Sequence, residues 1–205
     1  MSVCRFCGVG LEDPRAAYDR PVVESANFLV VSSLGGFVEG WLLVLPRRHF
    51  LNLRVMPPEL RAECNRVVSE AAAMVERVYG PTVAFEHGPS CPGSPAGCSI
   101  DHAHMHVVPH RHEVRSDLER ELGGRLQLHP VKSVFAAVSP PAEASYIFLQ
   151  ETTGERYLGF SEEIPSQLVR RILARRVGRG EQFDWRDDLA LETVMRTRAA
   201  VVRAA

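Results

Sequence analysis

Lysine is almost missing: Lys132 is the only one among the 24 basic residues of this 205-residue chain. Acidic residues number 25, so the formal net charge is −1. With no overall basic surface, charge gives no support to general nucleic-acid binding. We read no function into the preference for arginine. Long apolar runs are missing as well. No stretch approaches the roughly 18 apolar residues of a membrane span, and the N-terminus lacks the apolar segment of a signal peptide. The expectation is a soluble, cytoplasmic protein with no membrane partner. Cysteine is scarce and odd in number, at five. An odd set that includes Cys4-Arg5-Phe6-Cys7 fits reduced thiols and a metal site better than a disulfide framework. Internal repeats and long charge runs are also missing. The length suits one domain with a sizeable core, or one domain with an extension.

What the chain does have is concentrated between Cys98 and Pro109. There His102, His104 and His106 alternate with small or apolar residues and run into Val107-Val108, the period-2 pattern of a half-buried strand. Side chains on one face of a strand repeat about every 6.6 Å, so His104 is flanked on both sides by an imidazole. Two chemistries suit such a face. It can hold a catalytic metal through two or three imidazoles, or one imidazole can act as a nucleophile that its neighbours orient and polarise.

The rest of the chain gives a coarse map. Strands are expected near Asn27–Ser33 and Trp41–Leu45, joined by a glycine-rich hairpin connection. Pro57 and Pro58 suit a first helical turn. Apolar residues then recur at three- and four-residue spacing from Leu60 through Cys64, Val67, Val68, Ala71, Met74 and Val75 to Val78, predicting one long amphipathic helix that ends at Gly80-Pro81. A strand over Thr82–His87 precedes a proline-rich loop over 88–97. Further on we expect a short helical patch near Asp117–Leu122, a hairpin of Ser145–Gln150 and Tyr157–Phe160, and a basic helix from Pro165 to Val177 with Ser166 as its cap. A last helix is expected over Leu189–Val202. On that helix start, Gln167 shares a face with Arg170 and Arg171, a grouping suited either to a phosphate or other anion or to a solvated basic face paired with acidic neighbours such as Glu162 and Glu163.

The run His102-x-His104-x-His106-Val-Val-Pro109, preceded by Gly97-Cys98-Ser99, closely resembles the signature of the histidine triad superfamily of nucleotidyl hydrolases and transferases. Cys4-x-x-Cys7 and Pro46-Arg47-Arg48-His49 resemble its zinc-containing branch. The resemblance covers about Cys4 to Pro109. It implies an α+β fold, an antiparallel meander sheet with one long packed helix, usually paired with a second subunit, so that a homodimer is expected. Here a HIT-like catalytic domain would occupy residues 1–112, and a C-terminal α/β extension, residues 113–205, would pack on the same domain as a hairpin and helices.

The resemblance also implies roles. Zn²⁺ would be held structurally by Cys4, Cys7, His49 and His102, with Cys91 and Cys98 as lower-ranked rivals. His104 would be the nucleophile, His106 would contact a phosphate oxygen, and Ser99 would reach the phosphate or leaving group. Ser33 falls where relatives hold the ribose with Asp or Asn, and Glu86 of Glu86-His87-Gly88 falls near the phosphates, where it would bind an amine or hydroxyl of the leaving group or else face solvent. The implied activity is hydrolysis of a nucleoside 5′-monophosphoryl bond in a dinucleoside polyphosphate, phosphoramidate or nucleotide conjugate. A nucleotidyltransferase or phosphorylase with an acceptor other than water is the alternative. A non-catalytic nucleic-acid-associated module ranks lower, because the triad is intact and the charge near neutral.

Overall fold

Several strands of this chain are apolar at nearly every position because both faces of their sheet are covered. The computed structural model describes residues 4–9, 17–97, 100–139 and 144–204. In chain order the elements are β1 (Val23–Glu24), β2 (Phe28–Ser32), β3 (Leu42–Pro46), α1 (Pro58–Tyr79), β4 (Thr82–Gly88), β5 (Met105–Pro109), α2 (Arg115–Glu121), β6 (His129–Pro130), β7 (Ser145–Gln150), β8 (Arg156–Ser161), α3 (Leu168–Arg176) and α4 (Leu191–Arg203). The strands form one antiparallel sheet in the order β1-β2-β3-β5-β4-β7-β8-β6. This is the α+β class expected. Among the described residues no helix is long and apolar enough to cross a membrane.

Alternation along each strand sorts side chains into two cores. Leu29, Val31, Leu43, Leu45, Phe85 and Val108 face one side, with Leu118 of α2 and Val169, Ile172 and Leu173 of α3 packed on them. Phe28, Val30, Leu42, Val44, Ala84 and Val107 face the other, beneath Leu60, Cys64, Val67, Ala71 and Val75 of α1. Each such side chain contributes about 1.5–3 kcal/mol by leaving water. Val78, the last residue of the predicted stripe, is exposed. Helix α1 ends at Gly80, whose positive φ of 91° stops the helix while its N–H donates to Glu76 O; glycine adopts such a positive-φ conformation at low cost because it has no Cβ.

The chain beyond residue 113 continues the same sheet. Phe85 of β4 pairs with Leu149 of β7, and β7 pairs with β8 along its whole length. The edge of β4 that another chain could have extended is therefore occupied by β7. The end strands β1 and β6 are two residues each, short enough to offer little template for edge-to-edge pairing.

Two sequence expectations change here. The histidine strand is not half-exposed: its formal span starts at Met105, and His102, His104 and His106 are 1%, 6% and 5% exposed. The cause is the cover that α3 and the N-terminal turn lay over that face. Helix α3 starts at Leu168, because Gln167 sits at φ 56°, outside the right-handed region. Ser166 therefore does not cap it, and its buried hydroxyl has no hydrogen-bond partner among the described residues.

Glu86 also departs from expectation. On β4 its side chain alternates with Phe85 and His87, so it faces α1 and lies on the opposite side of the sheet from the histidines. There its carboxyl accepts hydrogen bonds from Leu53 N–H at 2.8 Å and from the Tyr146 hydroxyl, which also accepts from Arg54 N–H. It ties β4, β7 and the turn before α1 together. Burial, opposed only in part by those hydrogen bonds, pushes its pKa up to about 8. A carboxyl near 4.5 when unfolded and near 8 when folded keeps its proton in the fold over that window, so its contribution is full below the lower value and lost as pH rises through the upper one. Stability to urea is expected to fall between about pH 5 and 8, and Glu86→Gln should flatten that slope. An unchanged slope in the variant would assign the pH dependence elsewhere.

Candidate active site

β5 and the extended residues before it deliver three imidazoles to one face, and a hydrogen bond fixes the tautomer of each. His104 Nδ1 lies 2.8 Å from His102 O. A carbonyl only accepts, so Nδ1 carries the proton and Nε2 keeps its lone pair. His106 is set the other way: Trp41 Nε1–H donates to its Nδ1 at 3.0 Å, which leaves the proton on Nε2. His102 Nε2 lies 2.9 Å from Pro46 O and is the protonated nitrogen, so its Nδ1 is free to ligate. Along the chain, His102, His104 and His106 thus present a nitrogen free to ligate, a nitrogen with an available lone pair and a hydrogen-bond donor in turn.

Aromatic rings hold these imidazoles in place. Phe85 stacks on His106 with centroids 4.4 Å apart, and Phe6 meets His104 edge-on at 5.3 Å. Burial first, and neighbouring positive charge second, keeps the rings neutral. His104 is held down to about 4 despite its hydrogen bond to His102 O, and His106 lies well below the ordinary histidine range.

A fourth imidazole lies on this face. Continuing the β4–β5 register beyond the pair Phe85–His106 places His87 opposite His104. Its Nε2 accepts from Val169 N–H in the first turn of α3 at 3.3 Å, and burial holds its pKa down to about 3. The sequence reading included His87 only as a neighbour of Glu86. Its period-2 spacing from Phe85 was the available signal. Trp41 carried no such signal, because an indole inside an apolar strand reads as core.

The second cluster is Cys4, Cys7, His49 and His102, whose candidate ligand atoms all lie within 4.8 Å of one another. Cys4 Sγ is 3.5 Å and Cys7 Sγ 3.6 Å from His102 Nδ1, and Cys7 Sγ is 3.4 Å from His49 Nδ1. With Zn–S near 2.3 Å and Zn–N near 2.05 Å, a tetrahedron has S···N edges of about 3.6 Å. Two thiolates and two imidazoles at these separations fit zinc. Pro46 O on the far nitrogen of His102 supplies the outer hydrogen bond that metal-bound histidines usually make. Cys91 is exposed and outside this cluster; Cys98 and Ser99 lie outside the described residues.

Next to the triad is a narrow, mainly apolar slot. Val31 and Leu43 line it from the sheet, Phe6 and Val9 from the N-terminal turn, Ile100 from the loop before the triad, and Trp185 from the C-terminal extension. His104, His106, Ser33 and Arg170 reach the same slot, and Arg5 and Asp19, paired at 2.6 Å, also line it. The cavity has about 40 Å³ of room for water-sized groups. Ser33 is buried there, with its hydroxyl donating to Leu34 O at 3.3 Å.

The expected anion clamp on α3 is not assembled. Arg170 is buried, donates to Phe183 O at 3.0 Å and to Gly35 O, and lies 4.5 Å over the Trp41 ring. Arg171 points to α2, where it pairs with Glu121 at 3.6 Å. Gln167 Oε1 accepts from Trp185 N–H at 3.4 Å. Helix geometry placed the three on neighbouring positions, but the packing of α3 sends them to different partners. Arg170→Ala should therefore lower the melting temperature, with a loss of about 2–3 kcal/mol from two hydrogen bonds and a buried cation–π contact. Arg171→Ala should cost no more than about 1 kcal/mol, as surface ion pairs do. Equal melting temperatures for the two variants would contradict this division.

Residues 15–113 match the family model for the HIT domain. An uncharacterized HIT-like protein of Mycobacterium tuberculosis is 26% identical over 136 residues, covering 60% of this chain and 89% of the relative. Similar solved structures include a hypothetical histidine triad nucleotide-binding protein from Sulfolobus tokodaii, with 24% identity and a TM-score of 0.44 over 54% of this chain and 70% of that one. A zinc-bound histidine triad family protein from Mycobacterium smegmatis shows 29% identity and a TM-score of 0.37 over 44% and 65%. The matched residues include His102, His104 and His106, and this part of the chain is a HIT domain, the domain of the histidine triad family.

Proposed function

We propose that this protein hydrolyses a nucleoside 5′-monophosphoryl bond through a covalent nucleotidyl-histidine at His104. The observation that carries this reading is the hydrogen bond between His104 Nδ1 and His102 O, which leaves the Nε2 lone pair of a slot-lining imidazole available. Nε2 attacks the α-phosphorus, an N–P bond forms, and the P–O or P–N bond to the leaving group breaks as that group takes a proton from solvent. Water then attacks the same phosphorus, the N–P bond breaks, and the nucleoside monophosphate leaves while the water gives up a proton. His106, with its proton on Nε2, donates to a non-bridging oxygen whose charge grows in each step. Trp41 keeps that proton on the correct nitrogen. Ser33 is available to the ribose hydroxyls from the slot wall.

We assign Zn²⁺ to Cys4, Cys7, His49 and His102 as a structural ion. Bound there, it would link the N-terminal turn to the residue whose carbonyl orients His104. A panel of dinucleoside polyphosphates, nucleoside phosphoramidates and nucleotide sugars, read by mass spectrometry, tests the activity. Free nucleoside monophosphate is the expected product. A nucleotide transferred to an acceptor other than water would make the protein a transferase, and no turnover on any of the three classes would contradict the reading.

A further inference from the structure

The extension after residue 113 sends one segment back over the triad. Residues 183–189 lie across the connection between β2 and β3 and are tied there by hydrogen bonds from the main chain and from the side chains of Arg170 and Gln167. Gly35 N–H donates to Leu189 O at 2.8 Å, and Arg170 joins Phe183 O to Gly35 O. Gln167 Oε1 accepts from Trp185 N–H. The approach is so close that a Cβ on Gly35 would lie 2.4 Å from Trp185 Cβ, and Gly35 itself is at φ 65°. Gly35, Gln167 and Arg170 thus hold one tryptophan at the slot, opposite the apolar side chains of β2 and β3.

We propose that Trp185 is the residue on which the nucleobase of the substrate stacks, so that the C-terminal extension supplies a specificity-determining wall of the active site. This rests on the slot being the nucleotide site. The slot combines flat or apolar surfaces, Phe6, Leu43 and Trp185, with the phosphate-directed His104 and His106. That suits a ligand with an aromatic ring at one end and a phosphoryl group at the other. Its free space of about 40 Å³ is far below the roughly 300 Å³ or more of typical ligand sites. A base therefore enters only as a wall of the slot yields, and residues 183–189 form the wall that carries Trp185.

The test compares binding of nucleoside 5′-monophosphates and of ribose 5-phosphate, which lacks the base, by calorimetry with the full-length protein. Trp185→Ala should weaken nucleoside monophosphate binding about tenfold or more, the usual effect of losing one base–aromatic stack, and leave ribose 5-phosphate unchanged. Trp185→Phe should restore most of the affinity. Equal weakening of both ligands would mark Trp185 as structural and overturn the assignment, as would wild-type affinity in Trp185→Ala. If the parent protein binds neither ligand, the nucleotide reading falls, and the stacking role with it.

Discussion

Replacing His104 by alanine is expected to lower turnover by about 1,000-fold or more on any substrate the parent protein cleaves, equivalent to about 4 kcal/mol of transition-state stabilisation. The size follows from its role. No other imidazole on that face combines a free Nε2 with a place on the slot: His106 carries its proton there, His102 faces the metal cluster, and His87 uses Nε2 to accept from Val169 N–H. Folding should survive the change, because the lost imidazole contributes one hydrogen bond to His102 O, and such a bond is worth about 1 kcal/mol. Steady-state kinetics and a melting curve on the same preparation check both halves. Turnover within tenfold of the parent would assign the nucleophile to another residue.

Removing the metal should have an effect of similar size on stability. An ion held at about 1,000 times its dissociation constant contributes about 4 kcal/mol, and a chain of this length moves about 2–4 °C per kcal/mol. Combining Cys4→Ser and Cys7→Ser should therefore abolish zinc binding and lower the melting temperature by about 10 °C. Protein prepared without chelator should carry one zinc per chain by elemental analysis. Occupancy should fall on acidification, because thiolates and imidazoles bind the metal in their deprotonated forms. Activity should fall with the metal, since the carbonyl that orients His104 belongs to His102, a member of the candidate metal cluster. A double variant that retains zinc and melts like the parent would rule the site out.

What could be read before the structure was local. The alternating histidines, the three- and four-residue spacing of α1 and the glycine stop at Gly80 each follow from periods and backbone preferences carried by a few neighbouring residues. The hairpin of β7 and β8 was legible for the same reason. The location of that hairpin was not: its pairing with β4 joins residues some sixty positions apart, as in Glu86 with Phe148, and alternation alone does not name a partner strand. The same limit explains Glu86. The resemblance placed it near the phosphates, on the leaving group or in solvent, but the register of β4 turns it towards α1 and Tyr146. Helix spacing grouped Gln167, Arg170 and Arg171 on one helix start, but Gln167 lies before the first residue of α3, and the target of each is set by packing against a distant segment. Trp41 and Trp185 share that property. A hydrogen bond to an imidazole sixty-five residues away, or a place at a slot formed by the N-terminal turn, leaves no periodic trace.

The claim that the reaction passes through His104 makes a stereochemical prediction. Each in-line displacement inverts the α-phosphorus, so attack by the imidazole followed by attack by water gives net retention. Hydrolysis of a substrate with a chiral, isotopically labelled α-phosphorus, with the configuration of the released monophosphate read by ³¹P NMR, measures this directly. Retention is predicted. Net inversion would mean that water attacks the phosphorus in a single step and that His104 never bonds to it.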